Sequence, residues 1–360
     1  MKGITCMLTN SRISRFLIFI LACILLSSCQ SHSNNPGQTD EKHETGQTDT
    51  EAPRSVYYFK SSRFYDENYV LTKTNLQTGI TTPVCDDPLC EHGYDCRFSN
   101  TLSTYLVGTT LYFYREADMF IEEDELYITT QICSYDYETS DYNVLLELNC
   151  TNDDSICGKF EVKDGKIYFY QRTLIDNLKK YSLREINIET GELTRYDWGA
   201  DTWHFAMQNE RLYFSHNTQG IYSTDLNLQD KQIIVTPPEN TLIYPNTVTA
   251  KGKIFFGFTD KNNVETLMCL DPATGATASI DTADSFPYLR VVGETAYYLK
   301  TTFIDGNAWM QDHGNTVYKW DGNEATVFYV HDKEILALNE CEGYLILDEE
   351  GGERHVIKAE

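Results

Sequence analysis

Basic residues are scarce in this sequence. The 360-residue chain carries 29 Lys and Arg against 54 Asp and Glu, which gives a formal net charge of −25. Binding to nucleic acid or to anionic lipid head groups depends on clustered Lys and Arg. The shortage of basic residues therefore predicts that the protein has no nucleic-acid partner.

Familiar catalytic strings are absent as well. The patterns GxSxG, GxGxxG, GxxxxGK[ST] and HExxH do not occur, so the sequence gives no support to a nucleophile elbow, a phosphate-binding loop or a zinc protease helix. Acidic pairs are plentiful, but a chain with 54 acidic residues forms such pairs by chance. The sequence favours a protein that is not an enzyme, without deciding the question.

What is abundant points to β-structure. Apolar residues make up 41% of the chain and aromatic residues 13%, with 21 Gly but only 9 Pro. Aromatic side chains fit a pleated surface, and Gly fits tight turns. At this length a packed core is expected.

The N-terminus has the layout of an export signal. Lys2, Arg12 and Arg15 precede an apolar run at 16–26, which is too short to span a bilayer as a helix. The string LSSC that ends at Cys29 resembles the lipobox of bacterial lipoproteins. That resemblance implies cleavage after Ser28, lipidation of Cys29 and an extracytoplasmic protein anchored to the bacterial cell membrane. The alternative is an ordinary secretory signal cleaved near Ser28.

The next segment predicts a tether. Residues 30–54 contain no aromatic residue and a single aliphatic one, Ala52, so they lack the means to form a core. We assign 1–28 to the signal peptide, 29–55 to the lipidated Cys and a flexible tether, and 56–360 to the folded domain. Removal of the signal leaves 26 basic against 54 acidic residues, a net charge near −28. Such a domain is repelled from an anionic membrane.

The folded domain repeats one unit. An apolar-aromatic strand motif recurs at Val56, Leu111, Ile167, Leu212, Ile254, Ala296 and Leu345, at intervals of 42 to 56 residues. Alternating strands that end in Thr-Gly or Asp-Gly turns follow most copies. Repeats of this length predict an all-β fold, a β-propeller of four-stranded blades, with seven blades favoured over six or eight. One blade is expected to be completed from both termini, and a two-sheet sandwich is the alternative fold.

These repeats resemble a family, the uncharacterised lipid-anchored β-propeller proteins of anaerobic Firmicutes, with low-density-lipoprotein-receptor-like (YWTD-like) propeller repeats. The resemblance covers the whole mature domain. The string PVCDDPLCEHGYDC also looks like a CxDPxCxHxxxxC segment of that family, but one residue fewer separates His92 from Cys96. The resemblance implies a surface-exposed domain and little chemistry.

A cysteine cluster is the sharpest local signal. Cys85, Cys90, His92 and Cys96 lie within twelve residues. Three thiolates and one imidazole suit tetrahedral Zn²⁺, and four protein ligands leave no position open for a substrate, so a structural role is expected. Disulfides are the alternative, because an exported domain with eight Cys besides Cys29 allows an even pairing.

Aromatic residues in predicted loops indicate a binding face. Trp198, Trp203 and His204 lie close together between two repeats, and Trp309 lies in a second loop. Such residues favour sugar rings or protein partners, although blade packing also accounts for Trp203. The sequence predicts a non-enzymatic, lipid-anchored surface propeller that binds a protein or glycan partner. An extracellular carbohydrate-active enzyme, a glycosidase or lyase, is the alternative.

Overall fold

The computed structural model describes most of the chain from Ser55 onward. The described residues are 55–64, 68–93, 95–122, 125–151, 154–175, 178–197, 205–208, 210–216, 219–227, 229–239, 241–250, 252–304, 307–349 and 352–359. The predicted signal peptide, Cys29 and nearly all of the tether lie outside them, as do Trp198, Trp203 and His204. Within these ranges, no helix is long and apolar enough to cross a membrane.

The described chain is made of antiparallel β-strands and has no α-helix. The first sheet contains β1 (Tyr57–Phe64), β2 (Asn68–Asn75) and β3 (Thr81–Pro83). A continuous eight-stranded sheet contains β4 (Thr101–Val107), β5 (Thr110–Glu122), β6 (Glu125–Asp136), β7 (Tyr142–Thr151), β8 (Asp154–Lys163), β9 (Lys166–Ile175), β10 (Leu178–Asn187) and β11 (Leu193–Asp197). Its two four-stranded halves are joined through the pair Thr151 and Asp154.

The remaining sheets follow in chain order. Two four-stranded sheets contain β12 (Phe205–Gln208), β13 (Arg211–His216), β14 (Gly220–Asp225) and β15 (Gln232–Val235), then β16 (Leu242–Ala250), β17 (Lys253–Thr259), β18 (Glu265–Asp271) and β19 (Ala276–Ala283). The next contains β20 (Leu289–Val292), β21 (Thr295–Leu299), β24 (Thr316–Trp320) and β25 (Ala325–Val330), with the hairpin β22 (Thr302–Ile304) and β23 (Asn307–Asp312) inserted. The last contains β26 (Ile335–Cys341), β27 (Tyr344–Glu349) and β28 (Arg354–Lys358).

The repeated apolar-aromatic motifs occupy strands that are buried on both faces. In β13, Leu212, Tyr213 and Phe214 are all at most 4% exposed, although successive side chains point to opposite faces of a sheet. The matching residues of β17 and β21 are equally buried. A strand covered on both faces lies between two packed layers, as blade strands of a propeller do. The predicted β-propeller fold is confirmed, and seven blades stays a prediction.

The predicted Thr-Gly turns are present. Asn187 Oδ1 accepts the backbone N–H groups of Glu189 and Thr190, each at 3.0 Å, and the N–H of Gly191 donates to the Asn187 carbonyl at 2.8 Å. Gly191 has a φ of 70°, which other residues adopt only with strain. The same arrangement recurs at residues 271–275. These turns place the strand ends, and the segments after them, at defined edges of the sheets.

Side chains fasten the first sheet to the last. Arg354 donates hydrogen bonds of 2.9 Å to the hydroxyl groups of Thr72 and Thr74 and one of 3.0 Å to Asp348. Lys60 pairs with the same Asp348. No described sheet combines strands from both ends of the domain, so the expectation of a blade shared by the termini is wrong for the described residues.

Candidate functional site

The predicted cysteine ligands converge in the loop between β3 and β4. Backbone hydrogen bonds from Cys90 to the carbonyl of Asp87 (3.1 Å) and from Cys96 to that of Gly93 (3.0 Å) close two successive turns. Because each turn carries a cysteine at its end, the chain returns twice to the same place. The side-chain ligand atoms of Cys85, Cys90, His92 and Cys96 all lie within 4.8 Å of one another. We call this group the thiolate cluster.

Distances within the thiolate cluster fit a tetrahedral metal site. The Cys96 Sγ to His92 Nδ1 distance is 3.7 Å. Bond lengths of about 2.3 Å to sulfur and about 2.0 Å to nitrogen place two tetrahedral ligands about 3.5 Å apart. The backbone N–H of His92 points at Cys90 Sγ at 3.4 Å, and His92 adopts a φ of 54° to do so. The four residues therefore form a set that can hold a metal ion.

Burial and hydrogen bonding shift the pKa values of the cluster thiols in opposite directions. Burial raises the pKa of Cys85 and of Cys90. Burial also acts to raise the pKa of Cys96, but hydrogen bonds from His92, the backbone of Phe98 and Ser99 outweigh it, and the pKa of Cys96 is lowered. Cys96 is thus the thiol whose surroundings best stabilise a thiolate.

The thiolate cluster is joined to the hydrophobic core rather than to a cavity. Cys96 is 5% exposed and packs with Phe98, Leu71 and Phe113, while Cys85 and Cys90 lie at the edge of the same group. The Phe98 ring meets that of Tyr135 edge-on at 4.9 Å. Such surroundings agree with the structural role that the sequence predicts.

The disulfide alternative finds no support in the described part of the chain. Seven cysteines there are free thiols: Cys85, Cys90, Cys96, Cys133, Cys150, Cys269 and Cys341. No described pair is bonded.

A second group of metal-binding side chains lies in the last two sheets, and the sequence does not reveal it. His331, which directly follows β25, is held by backbone and side-chain hydrogen bonds with Asn315, both 2.8 Å. Glu349 ends β27, and His355 lies opposite Leu347 in the β27–β28 ladder, on the same face as Glu349. The ligand atoms of His331, Glu349 and His355 lie within 4.8 Å of one another. We call this group the imidazole cluster.

The imidazole cluster is closely connected. His331 Nε2 lies 2.9 Å from Glu349 Oε1, and both residues are 7% exposed. The Tyr329 hydroxyl lies 3.0 Å from His355 Nε2 and 3.4 Å from His331 Nδ1. Lys333 Nζ donates to Glu349 Oε2 at 2.7 Å. Hydrogen bonds from Lys333, and then from His331, outweigh burial and lower the pKa of Glu349.

This cluster opens onto a cavity with a volume of about 830 Å³. The cavity lies where three connecting segments meet, namely those after β25, between β27 and β28, and between β2 and β3. We call it the edge cavity, and its lining is Gly79, Thr81, Tyr329, Val330, His331, Asp332, Lys333, Glu349, Gly352, Glu353, Arg354 and His355. Ligand pockets of this size commonly hold small molecules or short polymers.

A second cavity, lined by side chains with shifted pKa values, lies between β1, β4, β20 and β26, which are the first strands of four sheets. Tyr58 of β1, Arg290 of β20 and Glu340 of β26 line a cavity of about 370 Å³. Burial raises the pKa of Glu340 and of Tyr58, and burial lowers that of Arg290. The cavity is small, and one carboxylate faces one guanidinium there.

The predicted aromatic binding residues remain untested. Trp198, Trp203 and His204 lie outside the described residues, and Trp309 lies in β23 rather than in the expected loop. No spacing motif marks the imidazole cluster, because its members are 18 and 6 residues apart on two different sheets. The only sequence signal is the scarcity of His, of which the chain has eight.

Comparisons with solved structures place the domain among β-propellers. It is similar to an oligogalacturonate lyase solved in complex with manganese, with a TM-score of 0.55, 10% identity, and coverage of 80% of this chain and 81% of that one. An oligogalacturonate lyase from Vibrio parahaemolyticus has a TM-score of 0.54 and 10% identity, over 80% of this chain and 82% of that one. An acylaminoacyl peptidase from Pyrococcus horikoshii gives 0.52 and 13%, over 82% of this chain and 48% of that one.

Sequence comparisons return nothing further. No protein-family model matches the chain, and no curated protein matches it by sequence. At 10 to 13% identity the structural likeness shows the fold alone. The comparisons thus support the propeller part of the family resemblance and give no support to its Firmicute lipoprotein or receptor-like parts. A propeller fold by itself does not separate a binding protein from an enzyme.

Proposed function

We propose that this protein is a non-enzymatic, lipid-anchored surface propeller that binds a protein or glycan partner through the edge cavity. The observation that carries the proposal is the cavity itself, about 830 Å³ and lined by strand residues of three separate sheets together with the segments that connect their strands. Side chains held by sheets and by short connections between their strands are pre-organised for binding.

The lining suits a polar partner. Tyr329 offers a ring that is stacked on that of His355, with centroids 5.6 Å apart, and Lys333 is half exposed. Hydroxyl-rich or polar ligands are held by such combinations of an aromatic face with charged donors and acceptors. This lining supports the proposal of a protein or glycan partner.

The carboxylates of the edge cavity argue against a glycosidase. Glycoside hydrolysis requires one carboxylic acid that gives a proton and a second carboxylate that attacks or activates water. Here Glu349 and Glu353 both pair with Lys333, at 2.7 and 2.8 Å. The hydrogen bond from Lys333 lowers the pKa of Glu349, so the buried carboxylate of this pair is not the proton-giving acid that the reaction requires.

One observation favours the alternative, an extracellular carbohydrate-active enzyme of the lyase type. His331, His355 and Lys333 meet in one open cavity, and such groups act as bases in proton abstraction. Two of the structural neighbours described above are oligogalacturonate lyases. Incubation with acidic oligosaccharides, followed by ultraviolet detection of unsaturated products, tests this alternative directly.

We also propose Zn²⁺ as the ion of the thiolate cluster, with a structural role. Support comes from its three thiolates and one imidazole, from the 3.7 Å Cys96–His92 distance and from its position against the core. Zinc per chain, measured by inductively coupled plasma spectrometry beside a free-thiol count, tests it. Absence of metal together with fewer than eight titratable thiols would contradict it.

The lipid anchor and the extracytoplasmic location rest on the string at residues 26–29. We expect the wild-type chain to partition into detergent and to incorporate labelled fatty acid, and Cys29→Ala to do neither. Cys341→Ala is the matched control, since this cysteine lies in the folded domain. Equal labelling of wild type and Cys29→Ala would refute the anchor.

The binding proposal is tested with the full-length chain in detergent, on a glycan array and by pull-down from a surface-protein extract. We expect one glycan class or one stoichiometric protein, and a loss of at least about tenfold in affinity for Tyr329→Ala, since aromatic contacts dominate such sites. Tyr344→Ala is the matched control, because Tyr344 begins β27 at the end opposite Glu349. Failure on both screens, or equal binding by the two variants, would overturn the proposal.

A further inference from the structure

We propose that His331, Glu349 and His355 form a second metal site, which binds a first-row divalent ion and keeps coordination positions open toward the edge cavity. This goes beyond the binding function above, which needs no metal. It is also separate from the thiolate cluster, which lies in the loop between β3 and β4, whereas the three residues lie in the last two sheets.

The donor set selects the class of ion. Two imidazoles and one carboxylate suit Zn²⁺ and its neighbours in the first transition series, whereas Ca²⁺ and Mg²⁺ prefer sites made of oxygen alone. Three protein ligands are also the number found in metal sites that keep a position for water or a ligand, in contrast to four in closed structural sites. The ligand atoms already lie within 4.8 Å of one another.

Surrounding groups hold the ligands as they do in metal sites. Metal-binding imidazoles commonly have their second nitrogen hydrogen-bonded to a neighbouring group, which fixes the ring. Tyr329 provides this contact to both rings, at 3.0 Å to His355 and 3.4 Å to His331. The backbone of His331 is fixed by Asn315, and Glu349 N–H donates to the Glu353 carbonyl at 2.9 Å. The arrangement is therefore held from several elements.

The burial of two of the three ligands favours binding of an ion. His331 and Glu349 are each 7% exposed, so they face each other with little water, while the cavity on their other side stays open. A divalent ion between them gains electrostatic energy in a region of lowered dielectric constant. Lys333 opposes the ion, because its ammonium group lies 2.7 Å from Glu349 Oε2. It also defines a variant that should bind metal more tightly.

The first test counts zinc per chain by inductively coupled plasma spectrometry after reconstitution of the full-length protein with Zn²⁺ and removal of excess. We expect His355→Ala and Glu349→Gln each to hold one ion fewer than the wild type. His313→Ala, a single-His control outside the cluster, should hold the same number as the wild type. The difference of one ion does not depend on whether the thiolate cluster is loaded. Equal counts in wild type and His355→Ala would overturn the proposal.

Substitution of Co²⁺ assigns the ion that is lost. Thiolate ligands give cobalt an intense charge-transfer absorption, which imidazole and carboxylate ligands do not give. We expect His355→Ala to keep any such band and to lose only the weaker absorption of the second ion. Loss of the thiolate band instead would show that the variant disturbed the first site, and would count against the proposal. Near-ultraviolet circular dichroism identifies any variant that has failed to fold. If His355→Ala fails to fold, the zinc count of Glu349→Gln, the most conservative change, decides whether the second site exists.

Lys333→Gln separates a metal site from a hydrogen-bonded network. Removal of the competing ammonium group should tighten Zn²⁺ binding at this site by roughly tenfold in calorimetric titration, after allowance for screening of a half-exposed charge. A purely structural network would be loosened by the same substitution and would gain no affinity for metal. Unchanged or weaker binding would therefore rule out Glu349 as a ligand. Partner binding in the screens above is measured separately, so either proposal can fail alone.

Discussion

The thiolate cluster and the imidazole cluster use the same kind of chemistry but are assembled in different ways. Four ligands of the first lie within twelve residues of one loop. Three ligands of the second lie on two sheets and meet only when those sheets pack. The first packs against the core, whereas the second opens onto a cavity of about 830 Å³.

This difference determines how metal binding at each cluster is related to folding of the chain. The thiolate cluster closes short loops, so the entropic cost of bringing its ligands together is small. The imidazole cluster needs the folded last two sheets, so its metal binding is coupled to folding of that region. A local site can therefore strengthen the fold, while a site formed by packing depends on it.

The largest effect is expected from removal of a thiolate ligand. Cys96→Ala should lower the free energy of unfolding by roughly 3 to 5 kcal/mol, because it removes a buried thiol and, with it, one of the four ligands of the proposed zinc ion. His355→Ala should cost no more than about 1 kcal/mol, since this residue is only partly buried. Thermal unfolding of both variants measures the difference.

Cys269→Ala provides the control for the loss of a buried thiol. Cys269 is 4% exposed and belongs to no metal-binding group in the described residues. If it destabilised the protein as much as Cys96→Ala, the cost would come from packing, and the contrast between the clusters would disappear.

Next in size is the fastening between the first and last sheets. The Arg354 side chain is 3% exposed and bonds to Asp348, Thr72 and Thr74. Arg354→Ala should cost roughly 1 to 3 kcal/mol, because it removes three hydrogen bonds made by a buried side chain, while Asp348 keeps its pair with Lys60. It should also weaken metal binding at His355, its neighbour in β28, and leave the thiolate cluster unaffected.

Arg211 offers the matched control for that substitution. It also pairs with an aspartate, Asp230, at 2.7 Å, but within one sheet and partly exposed. Exposed pairs contribute less than about 1 kcal/mol. Similar unfolding temperatures for Arg354→Ala and Arg211→Ala would show that the sheets do not depend on this fastening.

A smaller effect should come from the metal of the imidazole cluster. Free Zn²⁺ at about ten times its dissociation constant stabilises a folded protein by about 1.4 kcal/mol. We expect this gain in wild type and His313→Ala, and its absence in His355→Ala. In a urea titration followed with cobalt, the weaker absorption should vanish at a lower urea concentration than the thiolate band, because three ligands hold an ion less tightly than four. Simultaneous loss of both bands would contradict the distinction between local and packed sites.

The two clusters also mark what a sequence allows one to predict. The fold class follows from the recurring strands and turns, and the Cys85–Cys96 ligands from their close spacing. His331, Glu349 and His355 share no motif, since their proximity depends on which sheets pack together and on strand register. The side-chain fastening by Arg354 is hidden for the same reason, because hydrogen bonds between distant sheets leave no periodic signal.

The smallest expected effect comes from Glu265, a buried carboxylate outside both clusters. Unlike Glu349, it has no Lys or His partner among the described residues to offset the effect of burial on its pKa. Burial raises the pKa of Glu265, although the backbone N–H of Phe286 donates to it at 2.9 Å. A raised pKa means that the folded chain holds this proton more tightly than the unfolded chain does. Its contribution to stability is therefore complete below the unfolded pKa and is lost as pH rises through the folded pKa.

Glu265→Gln lacks this loss, so its stability relative to wild type should increase as pH is raised from the acidic side toward neutrality, by less than about 1 kcal/mol given the retained hydrogen bond. Any metal released at low pH leaves both proteins alike, so the difference between their urea midpoints isolates Glu265. A difference that stays constant with pH would mean that burial does not control this carboxylate.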